Sequence, residues 1–386
     1  MQDNKKERMK KIIKYFSIVL LVIVAVFSLY AFITGKTYLF KAVYHNFADI
    51  DDYKIFDNNI VLNGNNQPLD ISTNYSKISL SSKLNIEMEK TSSVAVAVIK
   101  NDSLLFEKYW DGYSDSSYSG SFSVAKTITS ILIGVALKEG KIKSLQDKVS
   151  NYIPEFKEGR KEDVKLVDLL TMSSGSNWDE SYANPFSVTT EAYYGSDVYK
   201  TATSVKIIHQ PGTLFEYKSG DTQLLGLILE KATGKSLSDY ASEKLWKPLG
   251  ASLPAYWSTD KKNGNEKAYC CFSSNARDFA KIGLLLLHHG NWNGQQIIDS
   301  SYCEQSVRPC MINTENNMAC NFYGYQLWIL PDRQEIYFAR GILGQFIIVI
   351  PAKNMVIVRL GKSEGGTNPN GFPQLVYNLV TWGEGL

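Results

Sequence analysis

The first 35 residues limit which part of this chain can form a globular body. Six basic residues precede an apolar run over 15–33: Lys5, Lys6, Arg8, Lys10, Lys11 and Lys14. An apolar run of about 20 residues can cross a bilayer as a helix, and flanking positive charge stays on the cytoplasmic side. We therefore predict a basic cytoplasmic tail and a transmembrane anchor over 1–35. The remainder would be extracytoplasmic, either periplasmic or extracellular.

A cleaved signal peptide is the alternative interpretation of the same run. The run is long for the apolar region of a signal peptide, and residues 30–36 show no clear small-residue cleavage pattern. An uncleaved, single-pass anchor is therefore favoured over secretion after cleavage.

Charge and composition exclude some partner classes. The 386 residues carry 41 Lys and Arg against 39 Asp and Glu, a net charge of +2, and much of the excess lies in the basic tail. The rest is nearly neutral and predicts no nucleic-acid partner. A hydrophobic fraction of 44% is ordinary for a globular protein with a sizeable core.

Cysteine and histidine usage gives no sign of a metal site. There are five cysteines, Cys270, Cys271, Cys303, Cys310 and Cys320, and no CxxC motif. The four histidines lack metal-ligand spacing, so we predict neither metal nor cofactor. Outside the cytoplasm disulfides can form, but an odd count leaves at least one thiol unpaired within the chain, and the pairing stays open.

The apolar pattern divides the chain into strands at both ends and helices between them. Residues 36–88 are polar and mixed, which indicates a linker or lead-in segment before one body over 89–386. Alternating apolar residues around Asn101-Asp102 predict a β-hairpin. Three β-rich runs near the end predict further strands, and a closing helix follows. The part between them, about 121–330, is mainly helical in pattern, with Gly140 and Gly234 as helix stops.

The simplest assembly is an α/β (α+β) fold with one antiparallel sheet. The early hairpin and the three late strands would share this sheet, with helices packed on it. The mainly helical region would be inserted between the two halves of the sheet. Such a fold leaves a cleft where the helical region meets the sheet edge.

The stretch SFSVAKTITSILIGVALKEG begins a predicted helix with an alcohol and an amine. It places Ser123 three positions before Lys126, so their side chains share one helix face. Serine is a poor nucleophile until a base takes its proton, and lysine becomes a base when burial lowers its pKa. The apolar run 128–137 supplies that burial, and N–H groups at the helix start can stabilise an oxyanion.

The S-x-x-K pattern alone has low specificity. Serine commonly caps a helix N-terminus, and a second match, from Ser258 to Lys261, lies in a polar stretch. Two later stretches strengthen the catalytic interpretation. Tyr217-Lys218-Ser219 directly precedes a predicted helix. Gly341 and Gly344 stand at the start of an apolar strand, where backbone has to approach a neighbour closely.

In this order and at this spacing, the three stretches resemble the class C β-lactamase-like serine hydrolases, relatives of penicillin-binding proteins. The resemblance covers about residues 85–385 and is greatest to the branch of 6-aminohexanoate-dimer hydrolases and related esterases and amidases. It implies a β-lactamase/DD-peptidase-like fold and an acyl-enzyme on Ser123. Lys126 would accept or relay the proton. Tyr217 would assist as a phenolate or a hydrogen-bonded relay, its pKa lowered by the neighbouring cation.

The resemblance also implies binding roles. Backbone N–H groups of Ser123 and Gln345 would form the oxyanion hole, and the hydroxyl of Ser219 would orient Lys126 or the substrate. Gly344 belongs to the third motif. The adjacent Cys270 and Cys271 are expected to pack as small residues rather than to carry redox chemistry.

The third motif departs from the family pattern. Ile342 and Leu343 stand where relatives carry Lys or His and often Thr, which hold a substrate carboxylate. An apolar pair cannot hold an anion, so we predict small neutral or cationic amides and esters with apolar acyl groups as substrates. Asp179 or Glu180 would hold a cationic end. Two alternatives stay open: a β-lactamase or DD-peptidase acting on cell-wall peptides, and a catalytically silent, penicillin-binding-like sensor or scaffold.

Overall fold

A computed structural model describes residues 2–386, and its helices and strands follow the predicted order. The helices are α1 (Gln2–Ile33), α2 (Tyr38–His45), α3 (Ser82–Lys90), α4 (Val124–Lys138), α5 (Leu166–Leu170), α6 (Val188–Tyr194), α7 (Val198–Thr203), α8 (Ser219–Thr233), α9 (Leu237–Ala241), α10 (Ala276–Leu287), α11 (Ser300–Ser306) and α12 (Gln374–Glu384). The strands are β1 (Asn58–Val61), β2 (Asp70–Ile71), β3 (Ser93–Lys100), β4 (Ser103–Tyr109), β5 (Ser119–Gly120), β6 (Ala255–Ser258), β7 (Phe272–Ser274), β8 (Asn291–Trp292), β9 (Gln295–Gln296), β10 (Trp328–Leu330), β11 (Arg333–Gly341), β12 (Gln345–Ile350) and β13 (Met355–Gly361).

The main sheet joins the two ends of the body, as the sequence predicts. Its seven strands run in the order β10-β11-β12-β13-β3-β4-β2, and all neighbours are antiparallel except the short β2 beside β4. The predicted hairpin turn has φ of 49° at Asn101 and 63° at Asp102. Turns with positive φ at both central residues match the twist of a hairpin.

Helices cover both faces of this sheet because its central strands are apolar on both sides. Along β3, Ala95 and Ala97 contribute to the core that includes α4, α8 and α10. The alternate residues Val96 and Val98 pack in a second core with α3 and α12. Alternation with a period of two places successive side chains on opposite faces, so the sheet is the middle layer.

Helix α4 is buried almost from end to end, which explains why most of its residues are apolar. Every residue from Val124 to Ala136 is buried. It packs between α8 and the strands β11 and β12. The N-terminus of α4 therefore lies where the helical region meets the sheet.

The segment 36–88 packs on the body instead of forming an extended linker. β1 pairs with β6 in a second sheet of order β1-β6-β7-β5, and α2 packs against α6. Leu39 and Val61 are fully buried, so apolar residues scattered through a polar segment are sufficient to hold it. Helix α1 is different: an 18-residue window within Asn4–Ile33 has a mean hydropathy of 2.8, and 6% of that window is buried. This helix is long and apolar enough to cross a membrane.

Candidate active site

Ser123 lies at the N-terminus of α4 and opens on a cavity. Its side chain makes no capping hydrogen bond to the helix backbone. Instead, its Oγ accepts a hydrogen bond from Lys126 Nζ at 3.0 Å. Phe122 precedes it with a φ of 46°, a backbone conformation uncommon outside functional and turn positions. The structure thus brings together the first two predicted site residues and does not support the capping alternative.

Lys126 is a buried amine with few polar partners. Its side chain is 1% exposed, and besides Ser123 its Nζ donates to the carbonyl of Tyr269 at 3.0 Å. Burial lowers the pKa of Lys126 to about 8, although the negative charge of Glu180 acts in the opposite direction. The amine therefore exists partly in the neutral form near neutral pH, as a general base requires.

Tyr217 completes the predicted group, but its titration differs from the expectation. Lys126 Nζ lies 5.0 Å from the centroid of the Tyr217 ring. Burial and the charge of Glu180 raise the pKa of Tyr217 well above its ordinary value, while a hydrogen bond with Ser123 and the charge of Arg340 lower it less. The expected lowering by a neighbouring cation is therefore wrong, because the loss of hydration outweighs it. Tyr217 is a neutral phenol here, which fits a relay and not a phenolate.

The loop between β11 and β12 carries the predicted oxyanion donor. Leu343 and Gly344 both have positive φ, 62° and 82°. Their carbonyl oxygens accept hydrogen bonds from Arg359 Nη1 at 2.9 and 2.8 Å, and Arg359 is fully buried. In a trans peptide the C=O and N–H point in opposite directions, so the N–H of Gln345 points away from Arg359. The side chain of Gln345 is fixed by hydrogen bonds to Gly361.

Gly341 sets how closely this loop approaches the start of α4. A Cβ at this position would overlap the carbonyl oxygen of Ser121, a backbone atom that cannot move without displacing Ser123. Gly341→Ala is therefore expected to lower kcat for an ester substrate about 100-fold, the typical loss for one misplaced oxyanion donor. Gly366→Ala is the matched control because a Cβ there meets open space. An unchanged kcat for Gly341→Ala would contradict this placement of the oxyanion hole.

The sequence offers two acidic residues for substrate binding, Asp179 and Glu180, and one of them faces the site. The backbone N–H and the hydroxyl of Ser219 donate to Glu180 at 2.7 and 2.6 Å, so Ser219 holds Glu180 and not Lys126. The Tyr182 hydroxyl donates to the same carboxylate. Asp179 is exposed, and its carboxylate accepts from the N–H of Ser181 at 3.0 Å. Of the two acidic candidates, Glu180 is the one whose negative charge acts to raise the pKa of both Lys126 and Tyr217.

Two cavities of different character lie beside these residues. The first, about 530 Å³, is lined by Ser123, Tyr269, Ile342 and Leu343, among mostly apolar and aromatic side chains. The second, about 480 Å³, is lined by Tyr217, by four carboxylates, Asp179, Glu180, Glu216 and Glu315, and by Lys218, which forms an ion pair with Glu216 at 3.0 Å. Both volumes are typical of sites for small molecules. The first can accept an apolar group and the second a neutral or cationic group.

Comparison with known proteins identifies the family. A family described as Beta-lactamase matches residues 84–372, more than half of the chain. The chain belongs to the β-lactamase family. It is a serine hydrolase of the type formed by β-lactamases, penicillin-binding proteins and their esterase and amidase relatives, and the resemblance drawn from the three motifs is confirmed.

Relatives of this β-lactamase-family protein include hydrolases of several kinds. It is 26% identical to the 6-aminohexanoate-dimer hydrolase of Paenarthrobacter ureafaciens, over 71% of this chain and 73% of that protein. A Bacillus anthracis protein assigned as a 6-aminohexanoate-dimer hydrolase has a similar structure, with a TM-score of 0.75, 24% identity, and coverage of 87% and 94%. A family VIII carboxylesterase aligns with a TM-score of 0.62 and 16% identity, over 81% and 98%. These structures share its fold.

The cysteines of this β-lactamase-family protein add a feature next to the site. Cys270 and Cys271 form a disulfide, and Cys270 lines the first cavity. The expected burial of this small pair is present, but the bond between them differs from the prediction of small residues that only pack. Cys303, Cys310 and Cys320 are thiols. Within residues 2–386 no group of three or more His, Cys, Asp or Glu is arranged to hold a metal ion.

Proposed function

We propose that this protein is a membrane-anchored amidase or esterase that forms an acyl-enzyme on Ser123. One observation carries the proposal: a fully buried amine, Lys126, lies 3.0 Å from the Ser123 hydroxyl oxygen. Burial is what makes an amine a base near neutral pH. This arrangement favours an active enzyme over a catalytically silent sensor or scaffold.

In the acylation step, neutral Lys126 takes the proton of Ser123 as Oγ attacks the substrate carbonyl carbon. The N–H groups of Ser123 and Gln345 would bind the oxygen that becomes negative. Tyr217, a neutral phenol beside both residues, would pass its proton to the leaving amine or alcohol and regain one from protonated Lys126, which returns Lys126 to its neutral form. The C–N or C–O bond then breaks and leaves the acyl group on Ser123.

In the deacylation step, water attacks the acyl group with the same groups acting in reverse. Lys126 takes a proton from water, the C–O bond to Ser123 breaks, and Lys126 passes that proton to Ser123 Oγ. The products are a carboxylic acid and the free enzyme. No cofactor is required by this sequence of steps.

Charges around the site favour substrates without a free carboxylate. Ile342 and Leu343 line the first cavity and offer no cation. Arg340 lies close enough to influence Tyr217, but it forms an ion pair with Glu364. The second cavity is acidic, since its Lys218 is already paired with Glu216 and Glu180 is held towards the catalytic group. An uncompensated anion is therefore disfavoured in both cavities, whereas an amine leaving group is accommodated.

The same proposal includes an uncleaved anchor. Helix α1 is long and apolar enough to span a bilayer, and its basic N-terminal flank would remain in the cytoplasm. The body beyond it would then be extracytoplasmic, where the Cys270–Cys271 disulfide can persist.

A substrate panel tests the proposed function. We expect the full chain in detergent to hydrolyse p-nitrophenyl butyrate with a kcat/KM at least about 100-fold above that for nitrocefin, since burying an unpaired carboxylate costs several kcal/mol. Absorbance assays on both compounds measure this ratio, and Ser123→Ala supplies the blank. Rapid nitrocefin hydrolysis together with weak esterase activity would favour the β-lactamase alternative.

A further inference from the structure

The residues that directly follow α1 form one wall of the cavity that Ser123 lines. Helix α1 ends at Ile33 and α2 begins at Tyr38, and the four residues between them span at most about 14 Å. α2 packs on α6 with Leu39 fully buried. Five residues of α2 and the turn after it line the cavity: Ala42, Val43, Asn46, Phe47 and Ala48. This side of the active site is therefore tied closely to the end of the spanning helix.

Exposed apolar side chains border the cavity on that side. We call them the rim: Val43, Tyr44, Phe47, Tyr182 and Phe186, each at least half exposed. The rim is continuous with α1, because the ring of Tyr30 contacts that of Phe186 with centroids 6.0 Å apart.

A contiguous exposed apolar patch marks an interaction surface, and aromatic residues at the end of a spanning helix lie at the membrane interface. The continuity with α1 identifies the partner of the rim as the bilayer itself. The rim would then place the cavity opening at the level of the lipid headgroups.

The interior of the cavity suits a hydrocarbon chain. None of its lining residues within the described chain is charged, and Ile342 and Leu343 form part of its wall next to Ser123. Its volume of about 530 Å³ exceeds what a short acyl group needs. Each methylene buried in such a site contributes about 0.8 kcal/mol, so a longer acyl chain would bind more tightly.

We propose that the substrate is a membrane-resident amphiphile, a long-chain acyl amide or ester, whose chain passes from the bilayer over the rim into this cavity. The carbonyl carbon would then lie at Ser123 Oγ and the polar headgroup in the acidic second cavity. This inference rests on the proposed function and on the α1 anchor.

The chemistry follows the same two steps. Ser123 Oγ bonds to the acyl carbon while the bond to the headgroup amine or alcohol breaks, and that group leaves with a proton. Water then cleaves the ester to Ser123 and releases a long-chain carboxylic acid. The acid can return to the bilayer by the route through which the chain entered.

The test uses the full chain in phosphatidylcholine vesicles with 4-methylumbelliferyl palmitate and 4-methylumbelliferyl butyrate as probes. We expect kcat/KM for the palmitoyl ester to exceed that for the butyryl ester at least about tenfold, the equivalent of two buried methylene groups. The double variant Tyr44→Asp/Phe186→Asp changes the rim without touching the cavity lining. It should lose most of this preference, because the long chain has to pass over the rim to reach the cavity, while butyrate hydrolysis stays unchanged. Ile71→Asp/Ile86→Asp, at exposed apolar positions of β2 and α3, is the matched control.

Each other result overturns the inference in a distinguishable way. Butyrate hydrolysis without a gain from the longer chain would leave the proposed hydrolase intact and refute the lipid substrate. Equal losses of activity on both esters in the rim variant would show that the rim residues are needed for folding, which thermal melting would confirm. That result would also refute the inference. Hydrolysis of neither ester by the wild type would refute the proposed function along with it.

Discussion

Replacing Ser123 by alanine is expected to reduce kcat for p-nitrophenyl butyrate on the order of 10⁴-fold or more, the loss found when a serine nucleophile is removed. The structure provides the reason. The Oγ of Ser123 is the group that accepts from Lys126 Nζ at 3.0 Å and opens on the first cavity. Without this Oγ no acyl-enzyme forms, and the rate acceleration that remains comes only from substrate binding.

The second S-x-x-K match provides the control for this substitution. Ser258 is buried, and its hydroxyl donates to the side chain of Asn58 at 2.8 Å, within the small second sheet. Ser258→Ala should therefore keep the wild-type kcat. If Ser123→Ala retained a tenth of the activity, or if Ser258→Ala lost as much as Ser123→Ala, the nucleophile would have to be sought elsewhere.

Replacing Lys126 by arginine is expected to lower kcat by about 10²–10⁴-fold, the range for loss of a general base. Arginine keeps the positive charge but is not deprotonated in proteins, so it cannot take the proton of Ser123. Lys126→Met removes the charge at similar length and should be equally inactive while folding normally. Lys281→Met is the matched control, since Lys281 is a buried lysine that pairs with Asp278 outside the site.

The wild-type pH profile measures the same role of Lys126. Burial lowers the pKa of Lys126 to about 8, so the neutral, proton-accepting amine becomes more abundant as the pH rises. We expect kcat/KM to increase with pH and to level off above pH 8. A profile that stays flat through this region would contradict a lysine base, and so would activity retained by Lys126→Arg.

Much of the fold could be predicted from periodicity and turn residues. The hairpin around Asn101-Asp102 and the three late strands pair as expected because each carries its own pattern and its own turn signals. The helix that begins at Ser123 was predictable for a similar reason: a mostly apolar run over 128–137 is followed by a glycine of positive φ, Gly140. These features depend on local sequence.

The features that could not be predicted depend on contacts between distant segments. The choice of Glu180 over Asp179 is made by Ser219, 39 residues further along the chain. The raised pKa of Tyr217 reflects burial that only the assembled site creates. Residues 36–88 carry no strong periodicity, yet pairing of β1 with β6 fixes them on the body.

The roles of Tyr269 and Arg359 could also not be predicted from the sequence. Tyr269 contributes through its backbone carbonyl, which accepts a hydrogen bond from Lys126 at 3.0 Å. Every residue has a backbone carbonyl, so the residue type gives no sign of this role. Arg359 lies within an apolar strand and is fully buried, where it holds the carbonyls of the loop before Gln345. A buried arginine in a predicted strand was the one available signal for it, because such a charge requires several acceptors.

The measurement that tests the central claim most directly is covalent labelling with a fluorophosphonate, followed by peptide mapping in a mass spectrometer. The full chain, kept in detergent at a pH near 8, should carry one phosphonyl group on the peptide that contains Ser123. Its Ser123→Ala variant should carry none. A label on another residue, or ester hydrolysis by a protein that takes up no label, would show that the alcohol beside the buried amine is not the nucleophile.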